Sequence, residues 1–108
     1  ASLGCAVERD LDKALEGSDA VMMLRVQFER HIQRGAIASV REYRRFYALT
    51  PERAERLAPK ALIMHPGPMN RGVEIDGSVY DLPRSVILRQ VTNGVAVRMA
   101  ALEACLGA

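Results

Sequence analysis

Two unbroken hydrophobic runs, Ala20-Val21-Met22-Met23-Leu24 and Ala61-Leu62-Ile63-Met64, stand apart from segments whose apolar positions recur at helical spacing. Apolar runs of strand length that do not alternate read as buried parallel strands covered by helices on both faces. Ahead of the first run, Leu11, Ala14 and Leu15 fall at helical spacing and Gly17 follows as a stop, which predicts a short helix. Ser39 with Glu42 three positions on forms a capping box, opening a helix through Arg45 and Tyr47. Thr50-Pro51-Glu52 then supplies an N-cap, a proline for the first helical position and an acid for the first turn, so a second short helix follows directly. Residues 27–38 keep no period and include Gly35, which predicts a long loop of the kind that often serves as a lid.

The second run stops at His65-Pro66-Gly67-Pro68, where the prolines and glycine force the chain out of the sheet. A loop containing Asp76-Gly77 follows. Asp81-Leu82-Pro83 opens a helical stretch with Val86, Ile87 and Val91 on one side; Asn93-Gly94 interrupts it, and Val95, Met99, Leu102 and Leu106 carry the stripe to Gly107. Two C-terminal helices joined at a kink are expected. The alternation of strand and helix predicts the α/β class, a partial three-layer parallel sheet flanked by helices with right-handed crossovers and at most three strands. The opening residues read like the end of a strand running into a helix, which implies something upstream for that strand to pair with.

Composition narrows the function. The 108 residues are 49% hydrophobic, enough for one modest core, and 15 Lys and Arg against 13 Asp and Glu leave a formal charge of +2 with the signs interleaved. Nucleic-acid binding needs clustered, unbalanced positive charge, so that class is disfavoured. Cys5 and Cys105 show no CxxC spacing and no Cys/His cluster has zinc-ligand geometry, so neither a disulfide framework nor a metal site is expected, and a reducing cytoplasm fits. No apolar run approaches the ~20 residues of a membrane span, and no leader is visible. Signatures of nucleotide cradles, serine-hydrolase elbows and zincins do not occur.

Ligands of open parallel sheets bind beyond the carboxyl ends of strands, and both ends are chemically marked. After the first run, Arg25-Val26-Gln27 would aim Arg25 and Gln27 the same way in an extended chain. A guanidinium fork matches a carboxylate, and an amide both donates and accepts, so the pair suits an acidic small molecule. A surface pair between Arg25 and Glu29, worth little, is the plainer alternative. After the second run, the rigid HPGP turn leaves the Pro66 and Gly67 carbonyls without ladder partners and able to hold an NH2 group. Gly67-Pro68 is a candidate cis peptide. His65 beside it reads more readily as a satisfied structural residue than as a catalyst.

MMLRVQFERH (Met22 to His31), SVREY (Ser39 to Tyr43), MHPGPMNRGVEI (Met64 to Ile75) and SVILRQVTNGVAVRMA (Ser85 to Ala100) together resemble the catalytic chains of the aspartate carbamoyltransferases, in the same order and spacing. The resemblance covers nearly all of this chain and roughly the last third of a family catalytic chain. Proline after His65 favours the aspartate enzymes over the related ornithine enzymes, whose turn has a cysteine-leucine-proline version. The resemblance implies transfer of a carbamoyl group from carbamoyl phosphate to the amino group of L-aspartate, with release of phosphate, in pyrimidine biosynthesis, and no metal or redox cofactor. It also implies that Arg25 clamps an aspartate carboxylate with Gln27 assisting, and that the backbone at Pro66 and Gly67, positioned by Pro68, holds the carbamoyl amino group. Glu29 and Arg30 fall in the loop that closes over the substrates.

By the same resemblance, residues 1–83 correspond to the C-terminal part of the aspartate-binding domain, and residues 84–108 return toward a carbamoyl-phosphate domain outside this sequence. No residue of this segment is then catalytic in itself; the family's phosphate loop, its carbamoyl-polarising histidine and a second aspartate-binding arginine lie upstream. The implied partners are L-aspartate, carbamoyl phosphate, an N-terminal catalytic half and a homotrimer of catalytic chains, in some assemblies with further subunits, but neither nucleic acid nor membrane. Alone, the segment is expected to be inactive, with Val95, Met99 and Leu102 exposed as an apolar patch. A noncatalytic assembly module that keeps only the packing surfaces is the alternative reading.

Overall fold

The computed structural model describes residues 3–27, 35 and 39–107. Helix α1 (Leu11–Leu15) begins where the Asp10 carboxylate accepts from the Asp12 and Lys13 amides at 3.0 and 3.4 Å. Strand β1 (Ala20–Met22) follows, then α2 (Val40–Tyr47), whose first turn is held by Ser39 Oγ accepting from the Glu42 amide at 3.1 Å. Helix α3 (Pro51–Ala54) starts on the predicted Thr50 cap with proline in its first turn. Strand β2 (Leu62–Met64), the short α4 (Gly77–Tyr80) and the 20-residue α5 (Ile87–Leu106) complete the described elements.

β1 and β2 pair in parallel, with Ala20 opposite Leu62, Val21 opposite Ile63 and Met22 opposite Met64. On its other side β2 makes a parallel bridge from Ile63 to Ser85, with Val86 donating to the Ile63 carbonyl at 2.9 Å. The α/β class with parallel strands is therefore as expected. Ile63 is fully buried in a core of Leu15, Leu49, Leu57, Ile75, Val79 and Ile87. Leu49 bridges to Ile75 at the edge of this core, which ties the segment before α3 to the loop after the HPGP turn.

Three expectations are corrected. The strands are not covered on both faces by the described residues: Val21 and Ile63 turn toward the core, whereas Met22 is 51% and Leu62 44% exposed, as period-two geometry requires when only one face is packed. The two C-terminal helices are one. An internal Asn-Gly weakens a helix by about 1.5 kcal/mol relative to good formers, less than a long hydrogen-bonded ladder can absorb, and Asn93 and Gly94 sit inside the 20-residue helix, where they line a groove with Leu62 and Met64. Finally, Asp81-Leu82-Pro83 does not open that helix. The bridge to Ile63 holds Ser85 extended, and the helix begins only at Ile87. The Asp76-Gly77 loop contains the one-turn α4, whose Asp76 gives no side-chain cap because its carboxylate receives the Arg44 guanidinium at 3.2 Å.

Candidate functional site at the ends of the two strands

At the end of β2 the chain leaves the sheet under tight control. The Met64 carbonyl still accepts from the Met23 amide at 2.9 Å, and the His65 amide then donates to Gln90 Oε1 of α5 at 2.8 Å. The His65 side chain is fully buried, as is that of Glu74. Nδ1 of the ring lies 2.9 Å from the Gly67 amide, and Nε2 lies 2.9 Å from Glu74 Oε1. A backbone N–H can only donate, so Nδ1 is the acceptor and the proton resides on Nε2, which donates to the carboxylate. His65 is thus a satisfied structural group, in line with the plainer reading of the sequence.

Glu74 Oε1 accepts a second bond, from the Asn70 amide at 2.8 Å, while Oε2 has no hydrogen-bond partner among the described residues. Asn70 extends the arrangement to the other strand: its Nδ2 donates to the Val26 carbonyl at 3.1 Å. Tyr43 of α2 stands near enough that burial first, then the charges of Glu74 and Tyr47, push its phenol above the ordinary value. Arg44 of the same helix donates to the Gly72 carbonyl and so steadies the loop that carries Glu74.

The turn itself is as predicted in outline. The Gly67–Pro68 peptide is cis, and Gly67 has φ of +72°, a conformation that glycine adopts without strain. A Cβ there would also approach Val91 Cγ2 to 3.3 Å. Among the described residues no hydrogen bond reaches the Pro66 or Gly67 carbonyl. Pro66, Gly67 and Pro68 line one wall of an open groove of about 600 Å³, shared with Arg71, Leu88 and Val91. The Arg71 guanidinium lies 4.7 Å from the centre of the Tyr80 ring.

Arg25 and Gln27 are both exposed and flank the buried Val26, the alternation expected of extended chain. They do not line the groove beside the turn. The structure therefore connects the two strand ends through Val26 and Asn70 and through the sheet, without bringing Arg25 and Gln27 into one cavity with Pro66 and Gly67. Glu29 and Arg30 lie outside the described residues, as does any pairing of Arg25 with Glu29. Among the described residues no group of three or more His, Cys, Asp or Glu could hold a metal ion, and no helix is long and apolar enough to cross a membrane.

Glu74, Asn70 and Gln90 escaped the sequence reading. An acid between Val73 and Ile75 in an apolar stretch near a lone histidine was the available signal for the first. For Gln90, its spacing of three from Ile87 and four from Gly94 places all three on the helix face toward β2.

Residues 3–105 match the family model described as Aspartate/ornithine carbamoyltransferase, Asp/Orn binding domain. The chain belongs to this carbamoyltransferase family. It is similar to the aspartate carbamoyltransferase catalytic subunit of Halothermothrix orenii, 55% identical over 105 residues that make up 97% of this chain and 33% of the relative. The chain thus spans about a third of the length of the curated carbamoyltransferase subunits it matches. Among solved structures it resembles aspartate transcarbamoylase from Trypanosoma cruzi in complex with carbamoyl phosphate and aspartate, with a TM-score of 0.66 and 29% identity over 84% of this chain and 28% of that one. An ornithine carbamoyltransferase from Pyrococcus furiosus superposes with a TM-score of 0.74 at 23% identity, over 87% of this chain and 29% of that one, a likeness of carbamoyltransferase fold alone.

Proposed function

We propose that this chain is the C-terminal part of an aspartate carbamoyltransferase, a transferase that moves the carbamoyl group of carbamoyl phosphate to the amino group of L-aspartate in pyrimidine biosynthesis. It works together with an N-terminal half that binds the phosphate. Arg25 receives an aspartate carboxylate and Gln27 assists it. The Pro66 and Gly67 carbonyls, in a turn stiffened by Pro68, accept from the carbamoyl amino group. Glu29 and Arg30 belong to a closing loop, and no metal or redox cofactor enters.

One observation carries this reading: a guanidinium-bearing segment and a proline-stiffened turn, with two carbonyls unengaged among the described residues, stand at the carboxyl ends of neighbouring parallel strands and are joined through Asn70. Such a reaction asks for alignment more than for acid–base chemistry. Holding amine and carbamoyl carbon together can contribute on the order of 7 kcal/mol or more in favourable systems, and fixed dipoles stabilise the tetrahedral charge.

Residues 1–83 form part of the aspartate-binding domain, and residues 84–108 return toward the carbamoyl-phosphate domain. Support for that return comes from α5, where Leu88, Met99, Leu102 and Leu106 are each more than half exposed. The assembly is a homotrimer of catalytic chains, and a cytoplasmic setting suits the exposed, unpaired Cys5 and Cys105. The same apolar helix face would serve a noncatalytic assembly module equally well. Mixing this chain with an independently made N-terminal half and measuring carbamoyl-aspartate separates the two: product is expected, and its absence despite a demonstrated complex would establish the assembly reading instead.

A further inference from the structure

We propose that His65 and Glu74 are positioning residues for the carbamoyl group: Glu74 selects the Nε2–H form of the imidazole, whose Nδ1 pins the Gly67 amide and so fixes where the Pro66 carbonyl points. This rests on the reading of the HPGP turn as the carbamoyl holder.

The Pro66–Gly67 peptide is a planar unit in which the Pro66 C=O and the Gly67 N–H point in opposite directions, since the cis bond lies one residue further on. Anchoring the Gly67 amide on Nδ1 at 2.9 Å therefore turns the Pro66 carbonyl directly away from the ring. The anchor works only while Nδ1 is bare. A carboxylate oxygen can accept but not donate, so Glu74 Oε1, 2.9 Å from Nε2, keeps the ring proton there and Nδ1 free. The Asn70 amide at 2.8 Å aims that oxygen, Gln90 holds the His65 backbone at 2.8 Å, and the ring is bonded through both its nitrogens, so it cannot swing without breaking bonds on two sides.

Filling space does not account for this pair. Both side chains are fully buried and Glu74 Oε2 is unsatisfied among the described residues, an arrangement that an apolar pair would better if packing were the only requirement. What hydrophobes cannot supply is a directional acceptor at the Gly67 amide.

The test uses the wild-type chain assembled with its N-terminal half, and the variants His65→Asn, His65→Gln and Glu74→Gln in the same complex. Asparagine places an oxygen where Nδ1 stood and accepts from the amide two residues on, as in an Asx turn, while losing Glu74. Glutamine reaches Glu74 and loses the Gly67 anchor. His65→Gln is expected to raise the carbamoyl phosphate KM and lower kcat, a combined loss of about thirtyfold, whereas His65→Asn and Glu74→Gln lose about threefold and all three leave the aspartate KM near wild type. Histidine ¹⁵N shifts in the wild-type complex, which need no variant to fold, should show Nδ1 bare and Nε2 protonated. Equal losses for the Asn and Gln variants, equal effects on both substrates, or a protonated Nδ1 would overturn the inference while leaving carbamoyl transfer intact. A wild-type complex that makes no product would overturn the transfer reading, and the inference with it.

Discussion

The two strand ends lie side by side in one sheet and are built on opposite plans. Beyond β1, the side chains proposed to carry the chemistry, Arg25 and Gln27, are exposed, and among the described residues it is the buried Val26 whose carbonyl is held. Beyond β2, the chemistry proposed lies in the backbone, which is held by two buried side chains, His65 itself and Glu74 from the following loop, and by the partly buried Gln90 of α5. An exposed charged arm suits a ligand that enters and leaves. A fixed carbonyl suits an atom that must meet its partner at one angle. Stability and recognition are thereby separated, and substitutions at the two ends should fail in different ways.

The largest effect is expected on stability. Glu74→Ala leaves the buried His65 Nε2–H and the partly buried Asn70 amide without an acceptor, and should destabilise the assembled protein by about 3 kcal/mol, read from urea or thermal unfolding. Arg25→Ala should shift unfolding by less than about 0.5 kcal/mol. If the exposed arginine proves as destabilising as the buried acid, the contrast between the ends is wrong. In steady-state kinetics the order reverses for one substrate: Arg25→Ala should raise the aspartate KM by roughly thirty- to a hundredfold, the worth of charge-assisted hydrogen bonds, with carbamoyl phosphate little affected. Equal losses for both substrates would contradict the assignment of Arg25 to the amino acid.

Asn70 belongs to both ends, so its removal sharpens the comparison. Asn70→Ala deletes one partly buried bond to the Val26 carbonyl and should destabilise by about 1 kcal/mol, with both KM values rising a few-fold together; an effect on a single substrate would show that the ends are not coupled through it. The smallest effect is a control remote from both. A hydrogen bond from Arg53, outweighing partial desolvation and aided by the charges of Arg53 and Arg56, holds the Asp12 carboxyl below its ordinary value. A depressed carboxylate contributes stability above its unfolded value that fades as pH falls through the folded one. Asp12→Asn should therefore differ from wild type at neutral pH, and the difference should shrink below the ordinary value of 3.8, with no change in either KM.

Much of this frame was legible in order of chain. Both strands, the Ser39 and Thr50 caps, the exit from the sheet at His65 and the cis bond at Gly67–Pro68 each depend on neighbours a few residues away, and local sequence states them. What was misread depends on distant neighbours. Whether Asn93-Gly94 breaks a helix depends on the whole 20-residue ladder around it, and where α5 begins is decided by the bridge from Ile63 to Ser85. The clamp on the turn was invisible for the same reason. His65 finds its partners 9 and 25 residues away, and Asn70 reaches back 44, so only the folded chain makes them a unit. In the motif MHPGPMNRGVEI the prolines drew attention and the glutamate did not, because a carboxylate in sequence looks like surface until its burial is seen.

The continuous α5 has a mechanical consequence. Twenty residues at 1.5 Å each make a rod of about 30 Å, and its first turn is seated by the buried Ile87 and by the Gln90 contact to His65, while the outer turns are exposed. A rod gripped at one end acts as a lever arm. A tilt of about 5° at the grip sweeps the far tip by some 2 to 3 Å, so a small change where Ile87 and Gln90 seat the helix becomes a large displacement at its exposed end.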